Sequence, residues 1–248
     1  MEKQQIRLNK FLAERIGVSR READDLITSG KITVDGEPAK IGSRIDKNSK
    51  VCYNKKIVPF DTDFLYVAMN KPVDFVCSRR AQGSTPTLYE LLPKKYHHLK
   101  TVGRLDKDSS GLILLTNDGD FAFQMTHPKF YKEKIYEVKL DRPLQPLHQQ
   151  MISDYGVMLD DGPSKFIVVR KFAESSSSDT LKGARPSLWS SEDDSQTSYT
   201  VSIFEGRNRQ IRRTFAALGY RVTDLHRTKF GKYELNGLEP GKYVIIKP

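Results

Sequence analysis

From Arg7 to Ile16 the apolar positions Leu8, Phe11, Leu12 and Ile16 recur three and four residues apart, which predicts a helix with one buried face. Gly17 ends that run. Ser19, followed three residues later by Glu22, has the pattern of a capping box and starts a second helix reaching to about Ser29, where Gly30 fits the stop. Lys31 to Val34 then reads as a short strand, Asp35-Gly36 as a tight hairpin turn, and Glu37 to Ile41 as the return strand. The first unit is therefore two helices and a hairpin.

The pattern weakens between Lys47 and Asp63, where Lys55, Lys56 and Pro59 interrupt short apolar pieces, and a domain boundary is expected there. The reading is two domains, 5–52 and 63–248. In the second, strands are predicted at Leu65 to Met69, Leu112 to Thr116, Lys134 to Leu140, Lys165 to Phe172, Tyr199 to Phe204 and Tyr243 to Lys247. Helices are predicted near Leu88 to Leu92 and from about Asn208 to Leu218, and Asn117-Asp118-Gly119 reads as a turn closing its strand. Strands and helices mixed in this way predict an α+β fold on a mixed or antiparallel sheet. Between Ala173 and Thr197 a serine run, Gly183, Pro186 and an acidic patch predict a mobile loop that decorates one hairpin; it holds the single tryptophan, Trp189.

Charge adds a class of partner. The chain carries 41 Lys and Arg against 31 Asp and Glu, a formal charge of +10 that attracts polyanions, nucleic acid foremost. Arg20 and Arg21 fall in the first turn of the second helix, where the helix dipole disfavours cations. A phosphate at that helix start would satisfy both, and a solvated basic turn is the alternative. Cys52 and Cys77 have neither disulfide-framework nor zinc-knuckle spacing, and the histidines have no metal-ligand spacing. Neither GxxxxGK[ST] nor GxGxxG occurs, so neither a metal nor a nucleotide cofactor is expected. The polar Met1 to Lys10 and the lack of a long apolar run lead to the expectation of a cytoplasmic protein.

The densest chemistry lies in GRLDKDSSGLILLTNDG, from Gly103 to Gly119, where Asp106, Asp108 and two hydroxyls precede an apolar strand. A calcium loop would use the same early positions, but its twelfth position is Asn117 rather than a bidentate Glu, and a strand follows rather than a helix. Paired-carboxylate glycoside chemistry fits poorly, because the two carboxylates would point apart on an extended loop.

Four segments in order carry a family resemblance. Gly103 to Gly119 resembles the catalytic-Asp motif of pseudouridine synthases of the RsuA type, which modify ribosomal RNA. Asn70-Lys71-Pro72 with Cys77-Ser78 resembles that family's opening motif, Lys134-Ile135-Tyr136 its second, and Glu205 to Arg213 its third. The run from Arg7 to Gly36 resembles the S-four type of RNA-binding domain. The sequence departs at Asp74, where the family usually has Gly, and in the length of the 173–197 loop.

The resemblance implies a cofactor-free isomerisation of uridine in ribosomal RNA by a monomer. Asp106 would be the catalytic carboxylate, Arg212 its ion partner and Tyr136 the ring that packs on the flipped uracil. Arg104 would contact RNA near the vacated base position, and Lys71 and Lys134 would meet phosphates. Arg20, Arg21, Arg207, Arg209 and Arg213 complete the expected RNA-binding set. Two other readings stay open from sequence, a non-catalytic RNA-binding protein and a nucleoside glycosidase.

Overall fold

The computed structural model describes residues 5–61, 63–79, 83–170 and 196–248. Helices Leu8–Arg15 and Arg20–Thr28 form the N-terminal unit. The second starts on the expected capping box: Ser19 Oγ accepts from the Glu22 amide at 3.1 Å and Glu22 accepts from the Ser19 amide at 2.7 Å, which satisfies two amide donors left over at a helix start. Leu8, Phe11, Leu12, Ala23, Ile27 and Ile32 close one small core.

The hairpin Ile32–Val34 and Glu37–Pro38 forms around the left-handed Asp35, but its return strand is shorter than expected. Ile32–Val34 also pairs with Val51–Tyr53, which in turn pairs with Lys56–Ile57. The segment expected to be a connection thus supplies two strands, and Val58 and Phe60 join the same core. Short strands next to lysines and a proline leave too weak an alternation to be read from sequence.

The larger unit is built on one twisted sheet, in the order Ile167–Arg170, Ser198–Ile203, Lys134–Leu140, Val222–Phe230, Ser110–Thr116, Tyr66–Lys71, Tyr243–Ile245. Neighbours are antiparallel except Val222–Phe230 and Ser110–Thr116, which run parallel, so the sheet is mixed. Strands Tyr66–Lys71 and Ser110–Thr116 are buried on both faces. Val67, Met69, Ile113 and Leu115 enter one core, and Ala68, Leu112 and Leu114 enter the other. Two-sided burial explains the unbroken apolar run Leu112 to Leu115.

Ile167–Arg170 and Ser198–Ile203, on either side of the expected loop, pair antiparallel; residues 173–195, Trp189 included, lie outside the described residues. Asn117-Asp118-Gly119 is a helix start instead of a plain turn, with Asp118 accepting from the amides of Asp120 and Phe121 at the head of Gly119–Thr126. Among the described residues no helix is long and apolar enough to cross a membrane.

Candidate active site

The site forms where the two halves of the sheet meet. Gly111 lies opposite Arg227 across the parallel pair, and Arg227 lies opposite Tyr136 on its other side. The loop from Gly103 to Ser109 ends at that junction, and its shape is fixed from beneath. Lys71 is fully buried, and its ammonium donates to the carbonyls of Ser109 at 2.6 Å and Pro72 at 2.9 Å. The amide of Asp74 donates to the Lys107 carbonyl at 2.8 Å, and the amide of Leu105 donates to Cys77 Sγ at 3.4 Å. Asp74 takes the left-handed conformation, φ 67°, which Asp tolerates better than most residues.

The two loop carboxylates have separate surroundings. Asp108 receives both terminal nitrogens of Arg209, at 2.9 and 2.8 Å, and lies 3.3 Å from Arg212 Nε. The bonds from Arg209 hold its carboxyl below the usual range, with Arg212 adding to the effect. Asp106 has one ion pair among the described residues, to Arg209 at 3.6 Å, and its side chain is one third exposed. Asp108 is spent on structure, whereas Asp106 keeps a carboxylate free to meet another molecule.

Asp106 opens onto a cleft of about 250 Å³ whose walls include Arg104, Lys134, Tyr136, Arg209 and Arg227. Tyr136 is 9% exposed, with its ring at the cleft wall. Lys134 donates to the carbonyls of Glu205 at 3.3 Å and Lys132 at 3.4 Å; burial, with Arg227 adding to it, lowers its pKa to about 8.

The expected roles divide on this geometry. Asp106, Tyr136, Arg104 and Lys134 come together in the cleft, joined by Arg209. Arg212, expected beside Asp106, interacts with its charge, while its terminal nitrogens donate to the Asp108 carbonyl at 2.6 Å and the Val222 carbonyl at 2.9 Å, bracing the loop. Arg207, which also lines the cleft, and Arg213, both expected on RNA, are paired with the hairpin of Val157–Leu159 and Gly162–Ser164. Arg213 pairs with Asp160 at 2.6 Å and Asp161 at 2.7 Å, and Arg207 with Asp161 at 2.8 Å. Lys71, expected on phosphate, has no exposed surface. A charge read along a sequence shows no partner, and these partners lie tens of residues away. Arg20 and Arg21 stay exposed on the N-terminal unit.

Arg227 escaped the sequence reading. It is 2% exposed; its Nε donates to the Leu112 carbonyl at 2.7 Å and one terminal nitrogen reaches the Tyr136 hydroxyl at 3.4 Å. The other terminal nitrogen is buried without a hydrogen-bond partner, and no carboxylate pairs with it among the described residues. A guanidinium so placed keeps the cleft electropositive. Its sequence signal was poor, because register shifts in the pairing of Val222–Phe230 break the period-two alternation.

A carboxylate and an aromatic ring on the walls of one basic cleft of this size can act on a planar polar group, the carboxylate as nucleophile or base. The comparisons with known proteins give the family. Residues 65–217 match the family model for RNA pseudouridylate synthase, and residues 6–51 match the S4 domain. The ribosomal small subunit pseudouridine synthase A of Pasteurella multocida is 34% identical, over 96% of this chain and 94% of that protein. An uncharacterized RNA pseudouridine synthase of Aquifex aeolicus is 31% identical, over 96% and 91%. A crystal structure of a pseudouridylate synthase superposes with a TM-score of 0.63 and 28% identity, over 98% of this chain and 96% of that one. The chain belongs to the RNA pseudouridylate synthase family and carries an S4 domain at its N-terminal end.

Proposed function

We propose that this protein converts a uridine of small-subunit ribosomal RNA to pseudouridine, with Asp106 as the catalytic carboxylate. The reading is carried by the partly exposed carboxylate of Asp106 lining one cleft with Tyr136 and Arg227 in a member of this family. The small subunit as target is supported by the relatives from Pasteurella multocida and Vibrio parahaemolyticus, both named for it and each covering nearly the whole chain.

The reaction conserves the composition of the nucleotide. The bond from ribose C1′ to N1 of uracil breaks, the base turns, C1′ bonds to C5, and the C5 proton leaves while N1 gains one. No oxidant, reductant or energy source is required. The carboxylate can add to the sugar or the base, or take a sugar proton, and any of these needs Asp106 charged and open. Arg209 sets positive charge 3.6 Å from it. A stacked uridine cannot reach this carboxylate, so the base is extruded at a cost of a few kcal/mol, part of which contact with the Tyr136 ring returns.

Because the C5 hydrogen departs, small-subunit ribosomal RNA transcribed with tritium at uracil C5 reports turnover directly. The wild-type protein releases tritium to water, and Asp106→Asn releases it at least about 1,000-fold more slowly, as loss of a nucleophile or base in a covalent mechanism requires. Release at the wild-type rate by Asp106→Asn removes this residue from the mechanism. Free uracil in place of pseudouridine would identify a glycosidase.

A further inference from the structure

An aromatic and basic cluster that the chemistry at Asp106 does not use lies on the chain between two cleft residues. Thr126 and Lys134 both line the cleft, and the segment 127–133 connects them. Thr126 also packs toward the catalytic loop, 3.5 Å from where a side chain on Gly103 would begin. Phe123, on the helix that ends at Thr126, is 45% exposed and Tyr131 is 75% exposed. Phe123 lies 4.7 Å from His127 in a tilted contact and meets Phe130 edge-on at 5.8 Å. The Lys129 ammonium lies 5.2 Å from the centre of the Phe123 ring and 4.8 Å from that of Phe130.

Tyr131 is held outward by a left-handed backbone, φ 46°, which is unfavourable for a bulky residue. Its amide donates to the Pro128 carbonyl at 3.0 Å, which fixes the turn. The charge of this segment is positive. Glu133 is occupied by Ser202 at 2.8 Å and Lys229 at 3.4 Å, whereas Lys129 and Lys132 have no carboxylate partner among the described residues. Exposed rings among lysines without carboxylate partners, on a stretch bounded in the chain by the cleft residues Thr126 and Lys134, match what an unpaired nucleic-acid strand requires: π faces for its bases and cations for its phosphates.

We propose that segment 123–132 is a stacking platform for the unpaired nucleotides flanking the target uridine. Bases beside the extruded one lie on Tyr131 and on the Phe123 and Phe130 pair, and Lys129 and Lys132 meet the backbone. The proposal rests on the isomerase reading for the identity of the strand. A protein partner would use the apolar surface but has no need of the lysines around it.

The test uses the full-length protein and a small-subunit ribosomal RNA transcript. Tyr131 is exposed enough that Tyr131→Ala leaves the packing intact, and a thermal unfolding midpoint checks this. Loss of one base-to-ring stack raises both KM and Kd about ten-fold, with kcat changing less than KM, and Tyr131→Phe, which keeps the ring, returns most of the affinity. A Lys129→Ala and Lys132→Ala double variant weakens binding and flattens its salt dependence. Unchanged Kd and KM in Tyr131→Ala, or a Tyr131→Phe variant as weak as Tyr131→Ala, overturns the platform and leaves the surface to a protein partner. Should the wild-type protein form no pseudouridine, the isomerase reading fails, and the Kd comparison of the two Tyr131 variants still decides for or against the platform.

Discussion

Lys71 and Lys134 show how burial converts a surface-type residue into a structural one. Lys71 fastens two loop carbonyls from a fully buried position, and Lys134 sits among Phe230, Arg227 and carbonyl oxygens. The pKa of Lys134 falls from 10.5 to about 8, with desolvation the first cause. Between those values the unfolded chain holds a proton that the folded chain has released, so unfolding takes up a proton and stability rises with pH. Below about 8 both states are protonated and the penalty of burying the charge is constant. Compared with Lys134→Met, the wild-type protein therefore gains stability as pH climbs from 8 to 10.5, read from urea midpoints; parallel curves would show that burial does not depress this amine. Neither lysine could be recognised as buried from sequence, since both flank strands whose covering residues are remote. Asp106 and Tyr136 were legible as cleft residues because the motifs around them are local.

At the level of elements, the parallel crossing of Ser110–Thr116 and Val222–Phe230 holds the cleft together. Gly111 adopts φ 105°, and a Cβ there would lie 2.2 Å from the Arg227 carbonyl oxygen. The backbones can approach this closely only without a side chain. Gly111→Ala is expected to cost roughly 3 kcal/mol in urea unfolding and to move Arg227; a loss under about 0.5 kcal/mol would mean that the strands separate easily. Strands with clean alternation, such as Lys134–Leu140, were readable to the residue. Val222–Phe230 was missed although it is central, because its register shifts scatter the buried positions. Helix Gly119–Thr126 was missed because an Asp-Gly pair signals a hairpin turn as strongly as it signals a cap.

Across the whole molecule, the S4 domain docks on the catalytic domain through specific contacts. Lys10 pairs with Asp120, the Lys100 ammonium donates to the Ala13 carbonyl at 3.2 Å, and Arg79 donates to the Gly17 carbonyl at 3.0 Å. Arg20 and Arg21 are exposed beside that junction, with Arg20 close enough to Lys100 to help lower its pKa, behind burial and Arg79. They suit phosphates of an RNA that spans both domains, and the +10 charge draws it in. Replacing both by Ala should weaken binding to small-subunit ribosomal RNA and reduce the slope of log K against log salt by up to about two. An unchanged slope would place the S4 domain's phosphate contacts elsewhere. The role of the Asp106 carboxylate is decided by mapping pseudouridines in small-subunit ribosomal RNA from cells whose only copy of this gene is wild-type or Asp106→Asn. With Asp106 as the catalytic group, one pseudouridine is present with the wild-type gene and missing with the variant; the same modification at full occupancy in both rules that role out.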